Sequence, residues 1–228
     1  MALDIKTFQT RTLTAIVFVV VMLAGMLWNE MGFIGLFTVI MIGCLYEFSQ
    51  LAKKINSKKY LYFIPLAFIY IILPINMMIQ LATNGFFKPA VFSPVFPAAI
   101  MFSIWLNDTM AYLVGSFIGK TPFSPISPKK TWEGTIGGAI LCVLIIGLFF
   151  RYLPFQHQVV ANVHWAVIAA ICAVFGTLGD LLESKIKRMA NVKDSGQMMP
   201  GHGGFLDRFD SMLIAIPAVW IYLKLFLH

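Results

Sequence analysis

Long apolar runs recur along this chain of 228 residues, and they decide which solvent it can fold in. A helix needs about 20 apolar residues to cross the hydrocarbon core of a bilayer. Seven stretches approach or reach that length: 12–28, 31–51, 61–82, 95–118, 134–153, 162–182 and 206–226. The first is short, and the fourth carries polar residues. Segment 83–97, with Asn84-Gly85, Pro89, Pro94 and Pro97, reads as a loop or a broken start to the fourth span. The expected fold is therefore all-α, a polytopic integral membrane bundle of about seven transmembrane helices. It is expected to be a single membrane domain over 1–228, with N-terminal membrane helices in 1–100 and the chemistry in the helices and loops of 101–228.

Composition supports this reading. Apolar residues make up 59% of the chain and charged ones 12%, against about 25% charged in an ordinary soluble domain. A soluble protein of this size could not bury so much apolar surface. The net charge of +7 points to anionic lipid headgroups and phosphate ligands rather than nucleic acid. Cys44, Cys142 and Cys172 lie in apolar runs without metal-ligand spacing, and read as packing residues. No small-residue cleavage site follows the first run, so it reads as a span and not a leader.

With the N-terminus placed in the cytoplasm, fourteen of the 17 Lys and Arg residues fall on the inside. Only Lys88, Arg151 and Lys224 fall outside, which is a clear positive-inside bias. Lys53, Lys54, Lys58 and Lys59 read as an inside loop resting on an anionic surface.

Seven of the ten acids then gather at the inside face or in the fourth span: Asp108, Glu133, Asp180, Glu183, Asp194, Asp207 and Asp210. Asp4, Glu30 and Glu47 are scattered through the first half. Carboxylates beside hydrocarbon are costly, and such placement points to function. Asp180, Glu183 and Ser184 share one helical face, and so do Asp207 and Asp210. A short connection can bring these faces together. Converging carboxylates suit Mg²⁺, a hard cation that also binds substrate phosphates. The alternative is a set of interfacial ion pairs with Arg188, Arg208 and the lysines.

Pro200-Gly201-His202-Gly203-Gly204 precedes the last span, where exposed backbone N–H groups at a helix start form a ready anion site. The alternative is a plain tight turn. His202 could position a phosphate, donate a proton or serve only in the turn. Ser127-Pro128-Lys129-Lys130-Thr131-Trp132-Glu133-Gly134 suits a triphosphate or lipid phosphate, or an ordinary positive anchor with its interfacial Trp. Asn107 and Asp108 sit deep in an apolar helix, facing a polar cavity or a neighbouring helix. Gly115 and Gly119, four apart, allow close helix packing.

The run SKIKRMANVKDSGQMMPGHGGFLDRFD, residues 184–210, resembles the signature of the CDP-diacylglycerol synthase (phosphatidate cytidylyltransferase) family. Ser184, Lys187, Arg188, Lys193, Asp194, Pro200, His202, Gly203, Gly204, Asp207, Arg208 and Asp210 stand in register with it. The SPKKTWEG block and the Asp108-Thr109 helix resemble it too, so the likeness covers roughly 105–210. Ser116 departs from it, standing where a basic residue is often found.

The resemblance implies transfer of the cytidylyl group of CTP to phosphatidic acid, giving CDP-diacylglycerol and pyrophosphate. It implies Mg²⁺, as one ion or a pair, on Asp180, Asp207 and Asp210. The expected catalytic set adds Lys193, Asp194 and His202. Substrate contacts are expected from Asp108, Ser127, Lys129, Lys130, Glu133, Ser184, Lys187, Arg188, Gly201, Gly203, Gly204 and Arg208. It further implies a bilayer setting, a homodimer, and a bacterial plasma membrane with the site toward the cytoplasm. A CTP-dependent lipid-alcohol kinase, an ion-coupled transporter using Asp108 and Asp180, and a non-catalytic membrane scaffold are the competing readings.

Overall fold

The computed structural model describes residues 5–83, 92–151, 161–197 and 203–227. Seven helices follow in order among them: α1 (Ile5–Leu27), α2 (Glu30–Ile55), α3 (Tyr60–Thr83), α4 (Val95–Ile118), α5 (Trp132–Arg151), α6 (Asn162–Met189) and α7 (Leu206–Phe226). Six of them, α2 to α7, are long and apolar enough to cross a membrane. The apolar part of α1, Thr12–Leu27, is shorter. Six of the seven expected spans thus appear, with α6 running on to Met189, while the apolar part of α1 falls short of a full span.

Local sequence explains several ends and breaks. Asn29 caps α2 by accepting the Gly32 N–H at 2.7 Å. Glu30 in the first turn and Lys53 and Lys54 in the last match the helix dipole. The third span is irregular: a 3₁₀ turn (Tyr60–Phe63), an α turn (Ile64–Ala67), a π segment (Phe68–Ile72), then α-helix from Leu73. Pro74 lacks the N–H that would bond to Tyr70 four residues back, and the π segment ends beside that gap.

Among the described residues, one two-stranded sheet interrupts the helices. Between α4 and α5 a two-stranded antiparallel hairpin forms, β1 (Pro122–Ser124) with β2 (Ser127–Thr131). It carries the SPKK block.

One apolar core, with Phe33, Phe37, Trp165, Phe209 and Val219 fully covered or nearly so, runs through the bundle. Apolar residues such as Val20, Ile42, Ile140 and Leu144 face outward. This suits a hydrocarbon surround, where outward apolar groups carry no penalty. Small residues bring helices together at two seams. Ala111 and Gly115 on α4 meet Gly134 and Gly138 on α5, and Gly119 just past α4 meets Thr131 of β2; a Cβ on Gly138 would lie 2.6 Å from the Ala111 Cα. Gly179 on α6 meets the α7 backbone, where a Cβ would lie 2.5 Å from the Asp210 carbonyl oxygen. The first seam carries the hairpin, and the second sets the acids of α6 against those of α7.

Candidate active site

A cavity of about 440 Å³ opens between α4, β2, α6 and α7. Asn107, Asp108, Tyr112 and Ser116 line it from α4, and Ser127, Lys129 and Lys130 from β2. Thr177 and Asp180 contribute from α6, and Asp207, Asp210 and Ser211 from α7. α7 contributes from its first turns, the hairpin from between α4 and α5, and α4 and α6 from their middle turns. Three of the sequence blocks, 107–116, 127–131 and 207–211, therefore share one space.

Asp180, Glu183 and Asp210 form the tightest acidic group, each offering an oxygen within 4.8 Å of the other two. Glu183 is fully buried. Lys187 lies one turn on, with Nζ 2.5 Å from Glu183 Oε2. The same Nζ donates to Asp207 Oδ1 at 2.6 Å. Asp180 is ion-paired with Lys130 of the hairpin. Asp210 is buried and accepts the Ser211 N–H at 2.6 Å through Oδ1.

Asp207 differs from its neighbours in being saturated. Its second oxygen accepts the Ser195 N–H (2.9 Å), the Ser195 hydroxyl (3.0 Å) and the Gly204 N–H (2.8 Å). The sequence reading grouped Asp180, Asp207 and Asp210, whereas the three nearest carboxylates are Asp180, Glu183 and Asp210. The i,i+3 spacing of Asp180 and Glu183 was the available signal for Glu183.

The remaining candidates are spread more widely. The Glu133 carboxylate accepts the Lys120 N–H (3.1 Å), the Thr121 N–H (3.1 Å) and the Thr121 hydroxyl (2.7 Å), so it ties the base of the hairpin to the first turn of α5. It does not line the cavity. Arg188 donates to the Val192 carbonyl at 3.1 Å, closing the end of α6. Lys193 and Asp194 are exposed on the following loop, and Ser184 is half-buried on α6. Arg208 is exposed on the first turn of α7 and acts electrostatically on Asp108. Gly203 has φ +84°, a left-handed conformation suited to glycine, and a Cβ there would meet Asp207 Oδ2 at 2.7 Å. Gly201 and His202 lie outside the described residues.

Two residues escaped the sequence reading. Glu47 of α2, 4% exposed, accepts the Phe205 N–H (2.9 Å), the Leu206 N–H (2.9 Å) and the Ser195 hydroxyl (2.7 Å). Buried Ser195 thus stands between Glu47 and Asp207. A lone carboxylate near the end of an apolar span was the signal available for Glu47. Ser195 had no distinguishing mark in the sequence.

The role of Glu133 is open to a direct check. Glu133→Ala is expected to speed hydrogen exchange at the Lys120 and Thr121 amides severalfold. Amides of α6 and α7 are expected to keep their wild-type exchange, because no cavity-lining group is removed. Amide hydrogen exchange is the measurement.

Fold and site together define an integral membrane helix bundle that sets carboxylates against lysines around one cavity. Residues 95–226 match the family model described as the cytidylyltransferase family, and the chain belongs to that family. It is similar to a protein named phosphatidate cytidylyltransferase from Bacillus subtilis (strain 168), 37% identical over 196 residues, covering 85% of this chain and 68% of that one. A protein of the same name from Synechocystis is 38% identical over 161 residues, covering 66% of this chain and 53% of its own length. One from Staphylococcus aureus (strain COL) is 48% identical over 124 residues, covering 53% and 45% respectively. The chain therefore spans about half the length of the latter two.

Proposed function

We propose that this protein transfers the cytidylyl group of CTP to phosphatidic acid, giving CDP-diacylglycerol and releasing pyrophosphate. The observation that carries this reading is the cavity itself. Acids from α6 and α7 face Lys129 and Lys130 across about 440 Å³ within a membrane bundle. Membership of the cytidylyltransferase family and the names of three relatives point the same way.

The donor set fits a hard divalent cation. Three carboxylate oxygens converge within 4.8 Å of one another, and Glu183 and Asp210 are buried, with Lys187 paired to Glu183. Asp180, Glu183 and Asp210 would hold Mg²⁺, with Asp207 beside them. When bound, such an ion would neutralise phosphate oxygens and polarise the phosphorus under attack.

The chain's own residues supply the rest. The nucleophile is a phosphate monoester oxygen of the lipid, largely ionised at neutral pH because its second pKa is about 6. No side chain has to act as a strong base. That oxygen forms a bond to the α-phosphorus of CTP, and the bond from the α-phosphorus to the bridging oxygen of the β-phosphate breaks. Pyrophosphate leaves with that electron pair. Lys129 and Lys130 bind the triphosphate, and Lys130 leaves Asp180 to do so. Lys187 keeps Glu183 and Asp207 in place. Fixed cations aimed at developing charge are the main source of rate here. Apolar clefts between the helices take the acyl chains. The positive-inside bias supports a site facing the cytoplasm from a bacterial plasma membrane.

The test is pyrophosphate release by purified protein in detergent with Mg²⁺, CTP and phosphatidic acid, omitting each in turn. Release that needs all three, matched by CDP-lipid, is expected. Formation of CDP from a lipid alcohol would instead favour the kinase, and ion-dependent flux without a CTP requirement the transporter.

A further inference from the structure

The loop that precedes α7 is built around a carboxylate that comes from α2. Glu47 Oε1 accepts the Phe205 N–H and Oε2 the Leu206 N–H, both at 2.9 Å. These are N–H groups at the start of α7, which a helix leaves without internal partners. Oε2 also accepts the Ser195 hydroxyl at 2.7 Å. A Cβ on Gly196 or on Gly204 would overlap the Glu47 carboxylate, so both glycines are spaces in which it sits. One turn earlier on α2, Gly43 leaves room for the Phe205 ring; a Cβ there would lie 2.7 Å from it. Among the described residues, no cation stands within ion-pair distance of Glu47. Its charge is answered by backbone and hydroxyl donors at a helix start, where the helix dipole favours an anion.

The sequence pattern had suggested that N–H groups around this loop would cradle substrate phosphate. Three of them are already engaged: Gly204 by Asp207, and Phe205 and Leu206 by Glu47. The contact then continues toward the cavity. Ser195 donates to Asp207 Oδ2 through both its N–H and its hydroxyl, and accepts the Asp207 N–H at 3.3 Å. Its single hydroxyl hydrogen faces two carboxylates, which ties their positions together. Asp207 holds Lys187, and Lys187 holds Glu183 in the acidic group.

The geometry points to Glu47 as a positioning residue for the acidic group of the cavity. It acts through Ser195, Asp207 and Lys187 by occupying the anion position at the start of α7. It does so from outside residues 95–226, the part that matches the family. The part of this inference that concerns catalysis rests on the cytidylyl-transfer reading; the part that concerns the loop does not.

Two readouts separate them. The first is amide hydrogen exchange of the whole ligand-free protein in detergent, comparing wild type, Glu47→Gln and Ser195→Ala. Loss of a hydrogen bond to a charged group should raise exchange at Ser195, Phe205 and Leu206 about tenfold in Glu47→Gln, with amides of α5 unchanged. The second is a Mg²⁺ titration of pyrophosphate release. Glu47→Gln is expected to raise the Mg²⁺ needed for half-maximal rate about tenfold and to leave KM for phosphatidic acid unchanged. The double variant with Ser195→Ala should be no worse than Glu47→Gln alone, since both act on one chain of contacts. Wild-type exchange in Glu47→Gln would overturn the inference. So would a lowered melting temperature accompanied by a wild-type Mg²⁺ requirement, which is the signature of packing alone. Ser195→Ala, which truncates the same chain of contacts at its middle, carries both readouts where Glu47→Gln does not fold. Absence of pyrophosphate release by wild type would count against cytidylyl transfer, and the exchange comparison would still decide the role of Glu47 in the loop.

Discussion

Asp210→Asn is expected to cut pyrophosphate release by about a thousandfold or more, the scale on which loss of a preorganised charge-stabilising group is felt. The protein should stay folded in the membrane. Asn is nearly isosteric, and its carbonyl oxygen can still accept the Ser211 N–H now bonded to Asp210 Oδ1. What disappears is one of the three converging negative charges of Asp180, Glu183 and Asp210. Like charges crowded together destabilise the ligand-free fold, so the melting temperature should hold or rise while activity is lost. Asp207→Asn offers the informative contrast. Its carboxylate holds Lys187 on one oxygen and Ser195 and Gly204 on the other. That variant should lose activity and stability together. Rate measurements beside thermal melts in detergent check both, and near-normal turnover by both variants would remove the metal proposal.

Gly179→Ala is expected to be nearly as damaging, for a steric reason. The added Cβ would lie 2.5 Å from the Asp210 carbonyl oxygen and 2.9 Å from the Ser211 Cα. Both neighbours are helical backbone and cannot swing aside. Overpacking of this kind costs about 1–3 kcal/mol, and relief comes only by moving α6 away from α7. Asp180 follows Gly179 directly, so this motion separates it from Asp210. Misplacement by about 1 Å can cost a hundredfold in rate, and a loss of that order is expected with a lowered melting temperature. Gly35→Ala is the control. Nothing lies within 4 Å of a Cβ there, and alanine is the better helix former. Equal losses in the two variants would show that glycine content, not the α6–α7 seam, sets the effect.

These outcomes turn on features that the sequence revealed unevenly. The spans were legible because hydrocarbon enforces length: 95–118 and 206–226 coincide with α4 and α7. The close helix packing expected at Gly115 was legible from spacing, although its partner Gly134 required the fold, and Gly119 packs instead on Thr131 of the hairpin. The hairpin was not legible. Its strands are three and five residues long, contain two prolines, and are held at their base by Glu133 reaching back to Lys120 and Thr121. No local periodicity encodes such a contact. Glu47 was hidden by distance along the chain, since its partners Phe205 and Leu206 lie 158 and 159 residues away. Glu183 lay in view on the same face as Asp180, but its place in the acidic group depended on how α6 and α7 meet.

The lining of the cavity also bears on the order of events during turnover. Four carboxylates, Asp108, Asp180, Asp207 and Asp210, stand there against two lysines, Lys129 and Lys130. Behind them Glu183 and Lys187 offset each other. A bare nucleoside triphosphate arriving at this surface meets net repulsion, and Lys130 is occupied by Asp180. A divalent cation held by Asp180, Glu183 and Asp210 would cancel that excess of negative charge and compete with Lys130 for Asp180. On the cytidylyl-transfer reading the cation would then arrive before the nucleotide: free CTP in excess of Mg²⁺ should compete poorly, and the apparent on-rate for nucleotide should climb with cation concentration until the acidic group is filled.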